Sequence, residues 1–350
     1  MCQRWRSPNP ALRWTNFLPG TERHPAVEDI RSAAERLKGI AVRTPLLESE
    51  KLNSRLGARV LLKCEMFQPV GAFKIRGAWN LISRLTERER ANGVVAFSSG
   101  NHAQAVAWAA RRFDIPSTIV MPSDAPSIKI ENTRALGADV VLYDRNAEDR
   151  ENITRQIVDR TGAVIVPPYD HPEIIAGQGT VGLEICEQCD EYGTSPDLVV
   201  VPCSGGGLVA GCSISLKDRF PDVDVYAAEP EMFDDTARSL AAGKRLRNPP
   251  GSASICDALL VPTPGELTFE INRKNLSGAV AVTDQDIRKA VWAAFMDARL
   301  VVEPGGAAGL AAALAGHLDI EGRTVCIVLS GGNIDAALLA DILRSPEIFF

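Results

Sequence analysis

Short apolar runs alternate with amphipathic stretches through most of this chain, and that alternation leaves few architectures open. VVAFSS is followed by NHAQAVAWAARRF, STIVMP by SIKIENTRALG, DVVLYD by RENITRQIVDRTG and LVVVPC by LVAGCSISLKDRF. VDVYAAEP and TVCIVLS come later, and VEDIRSAAERL and ARVLLKCE earlier, as helix and strand. Strands of five or six residues separated by helices of ten to fourteen imply βαβ units. A strand in a parallel sheet is covered on both faces, so it reads as a continuous apolar run. With 350 residues the chain can form two such domains. The expected class is therefore α/β, with mostly parallel twisted sheets.

Bulk properties exclude several functions. The net charge is −6 and no basic stripe occurs, so nucleic acid is not an expected partner. The longest apolar run, GGAAGLAAALAG (305–316), is too short and too glycine-rich to span a membrane. Several of the eight cysteines sit inside apolar runs, which fits reduced core cysteines of a cytoplasmic protein. Cys186 and Cys189 form a CxxC, but in a helical pattern with no second pair or histidine to complete a zinc site. Residues 1–24, rich in arginine, tryptophan and proline, lack the apolar core of a secretory signal and are expected to be a disordered extension.

In open parallel sheets, ligands bind beyond the carboxyl ends of the strands, so chemistry belongs in the strand-to-helix turns. PCSGGGLVAG (202–211) follows a strand and opens a helix. The backbone N–H groups of Ser204, Gly205, Gly206, Gly207 and Leu208 would form an anion cradle suited to phosphate, or else a tight turn packed against the sheet. No Gly-Lys-Ser/Thr follows, so it is not a nucleoside-triphosphate loop. GQGTVG (177–182) has dinucleotide-loop spacing but no strand before it, and is rejected as a cofactor loop. SSGNHAQA (98–105) offers Ser98, Ser99, Asn101 and His102 at a helix start, where they suit a carboxylate or a phenolate-like oxygen, or simply cap the helix. His102 beside Ser99 raises a serine hydrolase, but the GxSxG elbow is absent. LSGGNID (329–335) puts Ser330 at another strand end. In GAFKIRGA (71–78), Lys74 stands between Phe73 and Ile75. A desolvated lysine has a lowered pKa and attacks aldehydes. An aldehyde that also carries phosphate is pyridoxal phosphate, so the residues lead to a Schiff-base enzyme acting on an amino acid.

These separated motifs, in this order, make the chain from about Val27 onward resemble the fold-type II pyridoxal-phosphate enzymes, of the serine/threonine dehydratase and serine racemase group. The resemblance implies two three-layer αβα domains: residues 25–67 and 165–350 as a large cofactor domain, and 68–164 as a small substrate domain. It implies Lys74 as the Schiff-base lysine, Phe73 against the cofactor ring and Asn101 on its phenolic oxygen. Ser204 to Leu208 would hold the phosphate, with Ser204 where the common loop has a glycine, and Ser330 would face the pyridine nitrogen. Ser98, Ser99, Asn101 and His102 would grip the substrate carboxylate, and Ser99 aligns with the second acid/base of serine racemases. AAEPEMFDD (227–235) resembles the family's divalent-metal loop, with Glu229, the Phe233 carbonyl and Asp235 as ligands for Mg²⁺ or Ca²⁺. Asp257-Ala258 departs from the Asp-Gly pair of many relatives, and Arg150 in DRENI resembles an arginine that approaches a second substrate carboxylate.

The implied activity is β-elimination: a 3-hydroxy amino acid (L-threonine, L-serine or 3-hydroxyaspartate) to a 2-oxo acid and ammonia. The implied assembly is a cytoplasmic homodimer. A serine or aspartate-type racemase using Lys74 and Ser99 is the rival within the class, and a non-catalytic amino-acid sensor on the same fold the rival outside it. Intact Lys74 argues against the sensor.

Overall fold

The computed structural model describes residues 23–98, 100–125, 127–144 and 147–344. Ser99 and the first 22 residues of the expected extension lie outside them. In chain order the elements are α1 (Val27–Leu37), β1 (Leu46–Glu48), α2 (Glu50–Leu56), β2 (Arg59–Cys64), α3 (Lys74–Ser83), α4 (Glu87–Asn92), β3 (Val94–Phe97) and α5 (Asn101–Arg112). There follow β4 (Ser117–Pro122), α6 (Ser127–Ala135), β5 (Asp139–Tyr143), α7 (Arg150–Thr161), β6 (Val164–Ile165), α8 (Pro172–Glu191), β7 (Leu198–Pro202) and α9 (Gly207–Arg219). The remainder comprises β8 (Asp224–Pro230), α10 (Asp235–Ala242), α11 (Glu266–Asn275), β9 (Gly278–Val282), α12 (Asp284–Ala298), α13 (Ala308–Leu314), β10 (Thr324–Leu329) and α14 (Ala336–Arg344).

The expected α/β class with mostly parallel sheets is what forms. A six-stranded sheet has the order β1-β2-β10-β7-β8-β9, antiparallel only at β1–β2. A four-stranded sheet, β5-β4-β3-β6, is parallel throughout. The apolar runs are continuous because successive residues serve different cores. Val325, Ile327 and Leu329 of β10 pack with α12 and α13, while Cys326 and Val328 pack with α8 and α9. In the smaller sheet, Val94 and Ala96 face α3 and α5, and Val95 and Phe97 face α7. Each buried valine or leucine contributes about 1.5–3 kcal/mol, so a polar residue at either parity would be costly.

Some boundaries differ from the sequence reading. A helix starts inside GAFKIRGA, at Lys74, and breaks into α3 and α4. The break falls where the Thr86 hydroxyl and the Glu89 carboxylate cap α4 reciprocally. α8 starts five residues before GQGTVG, because Pro172 takes its first position and His171 Nδ1 accepts from the Glu173 N–H. GQGTVG is therefore mid-helix. Its glycines allow contact between backbones: a Cβ on Gly177 would stand 2.4 Å from the Arg76 carbonyl oxygen, and one on Gly179 2.8 Å from that of Gly211. β6 spans only Val164–Ile165, and β9 forms from SGAVAV, whose small residues made no strand signal.

Beneath α3 lies a buried polar cluster. Arg76 Nε and Nη2 donate to Glu65 at 2.8 Å, and its Nη1 and Nη2 donate to Glu184 at 2.7 and 2.9 Å. Lys63 Nζ donates to Glu184, Gln188 and the Thr44 carbonyl. Two cations and two carboxylates are thus mutually paired, and they clamp the first turn of α3 to β2 and α8.

Candidate active site

A cavity of about 220 Å³ opens at the carboxyl ends of both sheets. Lys74 enters it from the first position of α3, with Phe73 just before the helix. Its Nζ donates to the Pro168 carbonyl at 2.7 Å. Burial lowers the amine to about 8, well below an ordinary lysine. The loop carrying it is tied to the LSGGNID turn: the Phe73 N–H donates to the Ser330 carbonyl at 3.2 Å, and Ala72 bridges to Gly331. Ser330 is thereby held at the cavity wall.

Opposite, Ser204 to Leu208 line the cavity and lead into α9. α11 holds this loop from behind. Thr268 Oγ1 donates to the Gly205 carbonyl at 2.6 Å, and Asn272 Nδ2 to that of Gly206 at 3.4 Å. Because C=O and N–H of one peptide point in opposite directions, the Gly206 and Gly207 N–H groups point away from α11. Gly206 has φ +92°, and a Cβ on Gly205 would fall 2.4 Å from the Tyr169 ring. Glycine is required at both places by different causes, conformation at one and space at the other. The Ser204 hydroxyl accepts the Val261 N–H and keeps its own proton to give. The cradle therefore fits a bound phosphate.

Of the substrate candidates, Ser98, Asn101, His102 and Arg150 all line the cavity. The Arg150 guanidinium lies over the Phe97 ring, 4.8 Å from its centroid. Asn101 Nδ2 donates to Glu303 Oε1 at 2.6 Å, and its Oδ1 accepts from Asn333 Nδ2 at 2.8 Å. The expected grip of the His102 side chain on a carboxylate needs correction. Nε2 is 2.8 Å from the Val166 carbonyl, so it carries the proton, and Nδ1 is a buried lone pair without a partner. Burial, followed by the neighbouring Lys74, pushes the imidazole down to about 3 and keeps it neutral. A neutral acceptor does not grip an anion, so His102 can serve a carboxylate only through its backbone N–H at the start of α5.

Glu229, Phe233 and Asp235 lie behind the cradle, where Cys203 Sγ is 3.4 Å from Thr236 Oγ1. Glu229 is fully buried and accepts the Thr236 and Ala237 N–H groups. Asp235 Oδ1 accepts from Asn248, and its Oδ2 is buried without a partner. Burial raises both carboxyls, with Asp235 adding to the rise of Glu229 and Asp234 to that of Asp235, which reaches about 7. Two buried carboxyls with an orphaned oxygen suit a hard cation. Among the described residues no group of three or more histidine, cysteine or acidic side chains is arranged to hold a metal ion. Cys186 Sγ donates to the Ser215 carbonyl, and Cys189 Sγ lies 4.0 Å from that of Cys326.

Sequence reasoning missed Pro168, Tyr169, Gln178 and Glu303, all on the cavity wall. For Glu303 a signal existed: in VVEPGG a single acid stands between an apolar run and a glycine turn. The others lie in PPYDHP and mid-helix, where nothing local marks them.

The description "pyridoxal-phosphate dependent enzyme" belongs to the family whose model matches residues 37–331. An L-threo-3-hydroxyaspartate ammonia-lyase of Saccharomyces cerevisiae is 40% identical over 324 residues, covering 92% of this chain and 98% of that protein. An L-threonine ammonia-lyase of Thermotoga maritima is 43% identical over 318 residues, covering 91% of this chain and 78% of that protein. The structure of maize serine racemase superposes with TM-score 0.86 at 38% identity, covering 92% of this chain and 98% of that one.

Proposed function

From the premise that this chain belongs to the pyridoxal-phosphate dependent enzyme family, we propose how its residues carry out elimination from an amino acid. The protein is an ammonia-lyase that converts a 3-hydroxy amino acid to a 2-oxo acid and ammonia. The observation carrying the residue assignment is Lys74: a buried amine, lowered to about 8, across one cavity from the glycine cradle.

Lys74 would hold the cofactor's aldehyde carbon, Ser204 to Leu208 its phosphate, Phe73 its ring face, Asn101 its phenolic oxygen and Ser330 its pyridine nitrogen. When bound, the cofactor supplies an electron sink for charge developing at the substrate α-carbon. A hydroxyl such as that of Ser330 stabilises a protonated pyridine less than a carboxylate does, which favours prompt loss of a β-leaving group over a long-lived carbanion. Lys74, once exchanged for the substrate amine, would take the α-proton. Ser98, Asn101 and the backbone at the start of α5 would bind the substrate carboxylate, aided by the helix N-terminus. The β-hydroxyl would leave as water with a proton that Lys74 can return, and the released enamine hydrolyses to the 2-oxo acid and ammonia.

Arg150 favours a substrate with a second carboxylate, so we place 3-hydroxyaspartate first among the candidates. Phe97 holds the guanidinium at the cavity by its ring face, leaving the N–H fork free to meet a carboxylate bidentately. Steady-state rates on L-serine, L-threonine and the 3-hydroxyaspartate diastereomers test this; a preference for L-threonine over every hydroxyaspartate would reverse it. Racemisation is the second reading, favoured by the likeness to maize serine racemase, and chiral analysis of serine after incubation separates the two. Glu229, Asp235 and the Phe233 carbonyl would bind Mg²⁺ or Ca²⁺. We place the protein in the cytoplasm as a homodimer. Seven buried free cysteines support a reducing compartment, and among the described residues no helix is long and apolar enough to cross a membrane. Light scattering on the purified holoenzyme checks the dimer.

A further inference from the structure

Glu303, between α12 and α13, is 2% exposed and its nearest polar contact in the cavity is Asn101. The Asn101 amide cannot turn freely. Asn333 Nδ2 donates both to the Val70 carbonyl and to Asn101 Oδ1, each at 2.8 Å. With the Asn333 protons committed, the Asn101 oxygen must face Asn333 and its NH₂ must face Glu303. One N–H is taken by Glu303 and the second remains for a ligand.

The surroundings are crowded to permit this chain of bonds. A Cβ on Gly331 would fall 2.1 Å from Glu303 Oε1, and one on Gly71 2.5 Å from Asn333 Oδ1. Val70, whose carbonyl Asn333 holds, has φ +60°, a strained conformation for a β-branched residue. A buried carboxyl without its own cation lowers stability. Lys129 is nearby, but it is paired with Asp257. A strained turn, two crowded glycines and an uncompensated acid thus converge on the orientation of one amide.

We propose that Glu303 is a positioning residue: its carboxylate holds the Asn101 carboxamide so that an N–H, and not the carbonyl, meets the ring oxygen of the bound cofactor. This rests on the reading of the cavity as a pyridoxal-phosphate site with Asn101 on that oxygen. Without the carboxylate the amide is held from the Asn333 side alone, and a turned amide would present a lone pair to an oxygen that carries negative charge. Ring ionisation, and with it the absorption of the bound cofactor, then changes. The groups facing Glu303 are Asn101 on α5, Lys129 on α6, and Cys256 and Asp257 in the turn before α11. Burial and then Asp257 raise its carboxyl to about 7, against Asn101 and Lys129. Its hold on Asn101 therefore weakens as it takes up a proton near neutrality.

The test uses full-length holoenzyme reconstituted with pyridoxal phosphate. The ratio of the visible to the near-ultraviolet cofactor band is recorded between about pH 5.5 and 9, with kcat and KM. The native ratio is expected to shift with a midpoint near neutrality. E303Q should lose that midpoint and keep activity within about tenfold, since an amide oxygen still accepts from Asn101. E303L should shift the ratio at every pH and lower kcat about 10- to 100-fold with KM little changed. N333A should shift the ratio in the same direction by freeing the amide from its other side. Spectra of E303Q and N333A that superimpose on the native ones overturn the proposal, whether or not E303L folds. A native protein that takes up no cofactor fails the underlying reading instead. A spectrum that responds to N101A but to neither Glu303 variant fails Glu303 alone.

Discussion

The Lys74 amine lies 2.7 Å from the Pro168 carbonyl, and burial accounts for its lowered pKa. A backbone carbonyl accepts a hydrogen bond from either protonation state and supplies no full charge to hold the ammonium form. Lys74 is therefore partly neutral near physiological pH, as a nucleophile toward an aldehyde must be.

Reconstitution should report this directly. The folded-state pKa is depressed, so the neutral amine is lost as pH falls through about 8. The rate at which apoprotein captures pyridoxal phosphate should fall about tenfold per pH unit below that point. Stopped-flow absorbance in the visible band measures it; a flat profile between pH 6 and 8 would contradict the assignment. K74A should show no borohydride-sensitive band and lose at least about 10³-fold in kcat.

Arg150 should separate substrates. R150A removes a charge-assisted contact that a second carboxylate would make, worth about 1.5–3 kcal/mol, or roughly 10- to 100-fold in kcat/KM. The loss should appear with 3-hydroxyaspartate and be within about threefold for L-serine. Equal losses on both substrates would remove the reason for assigning it to substrate.

Cation binding should be read in melting temperature. Ionising Asp235 is unfavourable in the fold, so without a cation this group's contribution declines as pH rises from about 4 toward about 7. Mg²⁺ or Ca²⁺ would reverse that by pairing with the carboxylates. The rise in Tm on adding 5–10 mM cation, a range of about 1–2 kcal/mol at ordinary affinity, should grow with pH through 7 and vanish in D235N. A pH-independent rise, or one retained in D235N, would place the cation elsewhere.

Arg76 should be structural at the expense of nothing catalytic. R76M leaves Glu65 buried without its paired cation and Glu184 with Lys63 alone, and should destabilise by about 3–5 kcal/mol in urea unfolding. A loss under about 1 kcal/mol would show the cluster to be hydrated rather than buried.

Much of this was legible in the linear chain because it depends on local pattern. The apolar runs determined the parallel strands, since burial on both faces disfavours polar residues at either parity unless, like Lys63 and Glu229, they are hydrogen-bonded. GAFKIRGA and PCSGGGLVAG marked a lysine and a glycine loop that line one cavity, since each is a run of contiguous residues. Other features depend on contacts between segments far apart. GQGTVG has a ligand-loop spacing, yet its glycines pack α8 against α3 and α9, which only the neighbouring backbones reveal. The His102 ring, at a helix start suited to a carboxylate, instead gives its N–H to the carbonyl of Val166, 64 residues away. Glu303 and Asn101, 202 residues apart, become one polar chain only when both sheets close around the cavity. The sequence by itself determined which turns could bear chemistry, because backbone conformation and burial pattern are local. Tertiary structure alone decided which side chains are neutral, oriented or paired, because desolvation and hydrogen bonding are set by whatever the fold brings alongside.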